Sequence, residues 1–195
     1  MKNSAFFQKM FFLLMYDHVF AGKPLVEFYP KLKESDLVTD EFLGKVKEIM
    51  DGIIIKRKSI TEAMTSMNLF SSLDLCIIEI GEVGGILDEA LKYRITLNEE
   101  NISESEIYVD MFYLMLRCGV PTEQIISTCS KLLTKKEDIE IIKKFNEMWG
   151  KMYPICNNKY ENKTLYQEFI KSIDDKSGLK QKVYNMFKDE EYIDK

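Results

Sequence analysis

The sequence predicts an all-α fold: two tandem antiparallel helical bundles of about six helices each, related by an internal repeat. Three observations carry this prediction. Apolar residues recur at the three-to-four spacing of helices along nearly the whole chain. Only 9 Gly and 4 Pro punctuate 195 residues, too few turns for an architecture of short strands. Landmarks also recur at a near-constant offset: Gly119-Val120-Pro121 stands 97 positions after Gly22-Lys23-Pro24, Gly150 stands 98 after Gly52, and Gly178 stands 93 after Gly85.

In the first half, Phe6, Met10, Leu13, Leu14 and Asp17 mark an amphipathic first helix that carries aromatics on more than one face. Gly22 suits its left-handed end, and Pro24 suits the first turn of the next helix, where a missing N–H costs nothing. A third helix runs over about 40–54 with Phe42, Val46, Ile49, Met50 and Ile53 on one side. Ser59 and Glu62 form a capping box before a short helix. Another helix spans about 72–80, Gly84 and Gly85 interrupt it, and Leu87, Ala90, Leu91 and Ile95 resume the pattern.

The second half repeats the plan. Ser103 and Glu106 form a capping box, and Met111, Phe112, Met115 and Leu116 carry the stripe. Thr134 with Glu137 is expected to cap a helix ending at Met148-Trp149-Gly150, and a polar loop is expected over 157–163. The polar stretch 98–106 places the boundary, giving domains 1–100 and 101–195, joined by a linker or by one long helix.

The net charge of −5 argues against nucleic acid as a partner. The basic run Lys56-Arg57-Lys58 is the exception; it reads as a solvated helix end or as a patch for acidic lipid or an acidic partner. The longest stretch free of charge, 63–73, is far shorter than a bilayer span. Gln8 and Lys9 cut the apolar run at the N-terminus, so no signal peptide is expected. Cys76, Cys118, Cys129 and Cys156 form no CxxC pair and read as reduced thiols among apolar neighbours, which places the chain in the cytoplasm.

The box Gly81-Glu82-Val83-Gly84-Gly85-Ile86-Leu87 is the chain's most distinctive motif, with Asp175-Lys176-Ser177-Gly178 as its worn echo. Gly81 and Gly85 allow close helix approach or positive φ. Glu82 reads as a cap at the start of the next helix or an interhelix anchor, with a partner or cation contact as the functional alternative. Together with Ala21-Gly22-Lys23-Pro24-Leu25, Ser59-Ile60-Thr61-Glu62-Ala63-Met64 and Phe70, the box resembles the cytoplasmic domain of the type II secretion F / type IV pilus platform family. The second half resembles that domain's second copy through Gly119, Pro121, Ser177 and Gly178. Gly84 stands where the family pattern has Ser or Thr, and the membrane helices that separate the two domains in full-length members have no counterpart here.

The resemblance implies a non-catalytic cytoplasmic scaffold, with peripheral association at the inner membrane as the other placement. It would dock to a secretion or pilus assembly ATPase or to inner-membrane assembly proteins, and a homodimer is compatible with it. A helical adaptor or regulator that keeps the fold without the secretion role is the alternative. Gly22, Pro24, Gly81, Glu82, Gly85 and Leu87 would position helices. Phe6, Phe7, Phe11 and Phe12 crowd two turns of one helix; they read as buried on both sides within the monomer or as a partner contact, and the second is the role assigned to them. No cofactor or metal is expected: His18 is the one histidine, beside Asp17, and reads as solvated or capping. No P-loop, GxSxG or dinucleotide glycine run is present, so no catalytic residue is assigned.

Overall fold

Eleven α-helices and two short 3-10 turns, with no strand, make up the described residues of the computed structural model, which are 2–35, 38–97, 102–152, 159–173 and 178–189. The chain forms two compact units, Met1–Leu97 and Asn98–Lys195.

Unit 1 is organised around α1 (Lys2–Phe20), which packs against α6 (Leu87–Thr96). Between them come a 3-10 turn at Leu25–Glu27, α2 (Phe28–Glu34), α3 (Asp40–Ile54), α4 (Ile60–Ser66) and α5 (Ser72–Gly84), with consecutive α-helices from α2 to α6 in contact. Phe7, Phe11, Phe12 and Met15 of α1 are buried with Phe28, Phe42, Val46, Ile49, Met50, Met64, Ile78 and Leu91 in one core. Phe70, in the α4–α5 connection, inserts among the α1 aromatics, with ring centroids 6.1 Å from Phe7, 5.4 Å from Phe11 and 5.7 Å from Phe12. Arg94 of α6 lies over the Phe12 ring, its guanidinium carbon 5.6 Å from the centroid.

This packing corrects the partner role expected of Phe7, Phe11 and Phe12. A helix gripped from several sides buries aromatics around most of its circumference, so their spread does not signal an external surface. Phe6 is the exception, 66% exposed.

Unit 2 contains α7 (Glu104–Arg117), α8 (Thr122–Cys129), a 3-10 turn at Ser130–Leu132, α9 (Lys136–Met152), α10 (Lys159–Ser172) and α11 (Leu179–Asp189). It therefore shows five α-helices among its described residues against six in unit 1. Its core is aromatic: Phe112 meets Phe145 and Trp149 edge-on, each at 5.2 Å, and Trp149 stacks on Phe187 at 5.8 Å.

The two Gly-x-Pro corners share one backbone geometry. After α1, Gly22 takes φ +65, its N–H donates to the Val19 carbonyl, and the Lys23 N–H donates to that of His18. After α7, Gly119 takes φ +75, its N–H donates to Leu116, and the Val120 N–H donates to Met115. Both are Schellman-type ends. Pro24 (ψ 134) and Pro121 (ψ 136) follow in the same extended conformation and stand one position before the next helical turn rather than inside it. Gly22→Ala and Gly119→Ala should each cost about 1 kcal/mol, because an L side chain is strained in the left-handed region. Urea unfolding of the two single variants checks this, and the double variant should lose the sum.

Several local expectations change. His18 is buried rather than solvated: its Nε2 lies 2.9 Å from the Pro24 carbonyl, which ties the corner back onto α1. Helix α5 continues through the box to Gly84, because the left-handed residue that ends it is Gly85 alone. Helix α9 starts one residue later than the Thr134 cap implies, with the Lys135 carbonyl accepting from Ile139, and runs past Gly150 to Met152. Helix α10 begins at Lys159, inside the expected loop, since 159–163 holds neither Gly nor Pro to break it. Cys76 and Cys129 are buried, whereas Cys118 is exposed beside its corner. Ser177, Cys156, Tyr153 and residues 98–101 lie outside the described residues.

Candidate functional site

The Gly81–Leu87 box brings three helices of unit 1 together. Gly81 is buried inside α5, and a Cβ there would stand 2.8 Å from the Ala90 Cβ and 3.1 Å from the Leu87 Cα. That contact is too tight for any side chain, so Gly81 is what lets α5 and α6 touch. Gly85 does the other job, turning the chain with φ +67 while the Ile86 N–H donates to the Gly81 carbonyl at 2.9 Å. At Gly84 a Cβ would meet the Ile86 side chain at 2.9 Å, so a larger residue there would require that side chain to shift. Leu87, half-buried, packs against the unit 1 core.

Glu82 is an interhelix anchor, and it serves a different helix from the one expected. Its carboxylate accepts the Ile60 N–H at 2.5 Å, the Thr61 N–H at 2.9 Å and the Thr61 hydroxyl at 2.6 Å. It therefore closes the N-terminus of α4, reached across 21 residues of sequence, and not that of α6. The Ser59–Glu62 capping box satisfies the remaining α4 donors: the Glu62 N–H reaches the Ser59 hydroxyl at 3.0 Å, and the Ser59 N–H reaches Glu62 at 2.9 Å. Glu82→Gln removes the charge and places an NH2 among donors. We expect a loss of about 1–3 kcal/mol, the range for hydrogen bonds to a charged acceptor, measured by urea unfolding. An unchanged midpoint would mean the carboxylate does not hold α4.

An open groove of about 560 Å³ lies beside this anchor, lined by Ser59, Thr61, Glu62, Thr65, Glu79, Glu82 and Val83. Its acidic and hydroxyl lining suits a cationic side chain of a partner. Glu82 and Glu62 already accept helix N–H groups there, which limits them to a supporting role.

Sequence reasoning missed the carboxylates that tie the rest of the molecule. Asp74, buried in the first turn of α5, accepts the Ser71 N–H at 2.8 Å and pairs with the Arg94 guanidinium. The Ser71-x-x-Asp74 spacing was a legible cap; the partner 20 residues away was not. In unit 2, Glu104 accepts the Thr134 N–H at 2.6 Å, the Lys135 N–H at 2.9 Å and the Thr134 hydroxyl. Asp138 in α9 returns the favour by accepting the Ser105 N–H at 3.0 Å, so the N-termini of α7 and α9 cap each other. Burial pushes the Glu104 carboxyl up, but the Thr134 hydroxyl, the two N–H groups and the Lys135 charge outweigh it and leave it below the usual carboxylate value.

The other predicted positions fall elsewhere. Gly22 with Pro24, and Gly119 with Pro121, form the two corners described above. Gly178, at the head of α11, has no left-handed φ; a Cβ there would stand 3.1 Å from a Glu106 carboxylate oxygen. It is thus a close-approach glycine, unlike Gly85. Among the described residues, no group of three His, Cys, Asp or Glu is placed to hold a metal ion, and no helix is long and apolar enough to cross a membrane. Neither a family model, nor a curated protein, nor a solved structure matches this chain.

Proposed function

We propose that this chain is a non-catalytic helical scaffold of the kind found in the type II secretion F / type IV pilus platform family, docking to an assembly ATPase or an inner-membrane assembly protein. The observation that carries the reading is the recurrence of one corner. Gly22-Lys23-Pro24 and Gly119-Val120-Pro121 share φ at glycine, ψ at proline and both helix-ending hydrogen bonds. Two such corners in the same order relative to their flanking helices are what a duplicated unit would leave. The polar chemistry supports a scaffold as well. Glu82, Asp74, Glu104 and Asp138 all spend their carboxylates on helix N-termini.

The docking surface differs from the one the sequence suggested. With Phe7, Phe11 and Phe12 in the core, the apolar residues left exposed on and beside α1 are Phe6, Phe20 and Val26. Phe20 stacks on Tyr16 at 5.4 Å. Phe20 and Val26 flank the Gly22 corner in sequence, the place where a partner helix finds apolar surface.

Size-exclusion chromatography with the purified assembly ATPase encoded in the same genome tests the reading. Co-elution, lost in Phe20→Ser with Val26→Ser, is the expected result; separate elution from both the ATPase and the platform proteins overturns it. The adaptor reading draws on one specific difference: Gly178 lacks the left-handed conformation of Gly85. Recovery of an unrelated regulator in place of machine components would favour it.

A further inference from the structure

We propose that residues 54–58, the end of α3 and most of its connection to α4, form a contact loop for an anionic lipid surface. The buried stripe of α3 ends with Met50 and Gly52, Ile53 still packs against the core, and the two residues after it face away: Ile54 is 46% exposed and Ile55 71% exposed. Lys56 and Arg57 follow, both exposed, and then Lys58, whose ammonium reaches the Ser66 hydroxyl at 2.7 Å. Basic residues at a helix C-terminus complement its dipole. That accounts for the cations but not for two adjacent isoleucines held in water.

The loop is a fixed turn. The Ile55 and Lys56 N–H groups both donate to the Asp51 carbonyl, at 3.0 and 3.2 Å, and the Lys58 N–H donates to that of Gly52 at 3.1 Å. Arg57 sits at φ +54, a conformation that non-glycine residues seldom adopt. The acidic neighbours do not cancel the basic run. Asp51 is paired with Lys47 at 3.2 Å, while Glu48 and Glu62, which keeps its charge as it accepts the Ser59 N–H, offset two of the three loop cations. A chain of net charge −5 thus carries a local basic excess around an apolar tip.

Charge complementarity and this apolar tip together select a lipid surface over an acidic protein. Isoleucines can enter the boundary between headgroups and acyl chains while lysine and arginine stay level with the phosphates. The inference rests on these residues alone and is independent of the ATPase partner proposed above.

Sedimentation of the full chain with vesicles tests it. The protein should pellet with phosphatidylcholine vesicles containing about one-third phosphatidylserine, and not with phosphatidylcholine alone. Lys56→Gln with Arg57→Asn, where asparagine tolerates the left-handed turn, should weaken binding about 25-fold, roughly five-fold per cation. Ile54→Ser with Ile55→Ser should also weaken it, while Phe6→Ser should not. All three variants should melt like the parent, since the side chains replaced are exposed. Failure to pellet with anionic vesicles, equal pelleting with neutral ones, or full binding by both loop variants overturns the proposal. Retention on immobilised polyglutamate without vesicle binding would overturn it in favour of an acidic protein partner.

Discussion

Phe11→Ala should destabilise unit 1 by about 3–5 kcal/mol, the cost of emptying a fully buried aromatic site. Phe6→Ala, one and a half turns earlier, should change stability by less than about 0.5 kcal/mol. The contrast follows from what each ring touches. Phe11 is fully buried, with Phe7, Phe12, Phe28 and Phe70 rings at 5.4–6.1 Å. A cavity there cannot collapse easily, because α1 is held by α6 and by the Phe70 connection at once. Phe6 has lost little water and so has little to lose. For a unit of this size the Phe11 substitution corresponds to a fall in melting temperature of about 12 °C or more. Far-UV circular dichroism follows both units, while fluorescence of Trp149, the one tryptophan, follows unit 2 alone. Equal melting shifts for the two variants would contradict this packing. So would a Phe11 variant that melts like the parent.

The same four phenylalanines show where the sequence was legible and where it was not. Periodicity located α3 at its observed bounds, and the Ser59–Glu62 and Ser103–Glu106 boxes lie where their spacing placed them, because caps and stripes are local signals. The left-handed Gly22 and Gly119 were legible for the same reason, whereas Gly81 and Gly85 were read alike as close approach or positive φ and only Gly85 takes the latter. How many sides of a helix are covered is a tertiary fact. An aromatic stripe wider than one face reads identically whether the second side meets Phe70 or another protein. Carboxylate partners share that blindness. Glu82 read as a cap for α6 or as an interhelix anchor, and the anchor reading holds; which helix it serves was not legible, since nothing in a single sequence indicates that the start of α4 has folded back beside it. Thr134 looked like an N-cap until Glu104, 30 residues earlier, claimed its hydroxyl.

Asp74→Ala should cost about 3–5 kcal/mol, the range for breaking a buried ion pair from one side. Asp74 has no solvent-exposed side-chain surface, and its partner Arg94 is 17% exposed. Removing the carboxylate strips the Ser71 N–H of its acceptor and takes the Asp74 charge away from the guanidinium over Phe12. Asp74→Ala combined with Arg94→Met should fall well short of the sum of the two single losses, because each single change already removes their shared interaction. Urea unfolding of the four proteins gives the coupling directly; additivity within about 0.5 kcal/mol would show that the two groups do not act as a pair. The position of the pair explains why it reaches the box. Asp74 is in the first turn of α5 and Arg94 in the last turn of α6, so the pair fastens the open end of this helical hairpin. Gly81 against Ala90, with the turn at Gly85, fastens the closed end. Glu82 projects from the closed end, between Gly81 and the turn at Gly85, and it can hold the start of α4 only while the hairpin stays closed. Loss of Asp74 should therefore weaken the effect of Glu82→Gln, and the double variant should lose less than the two single losses added together.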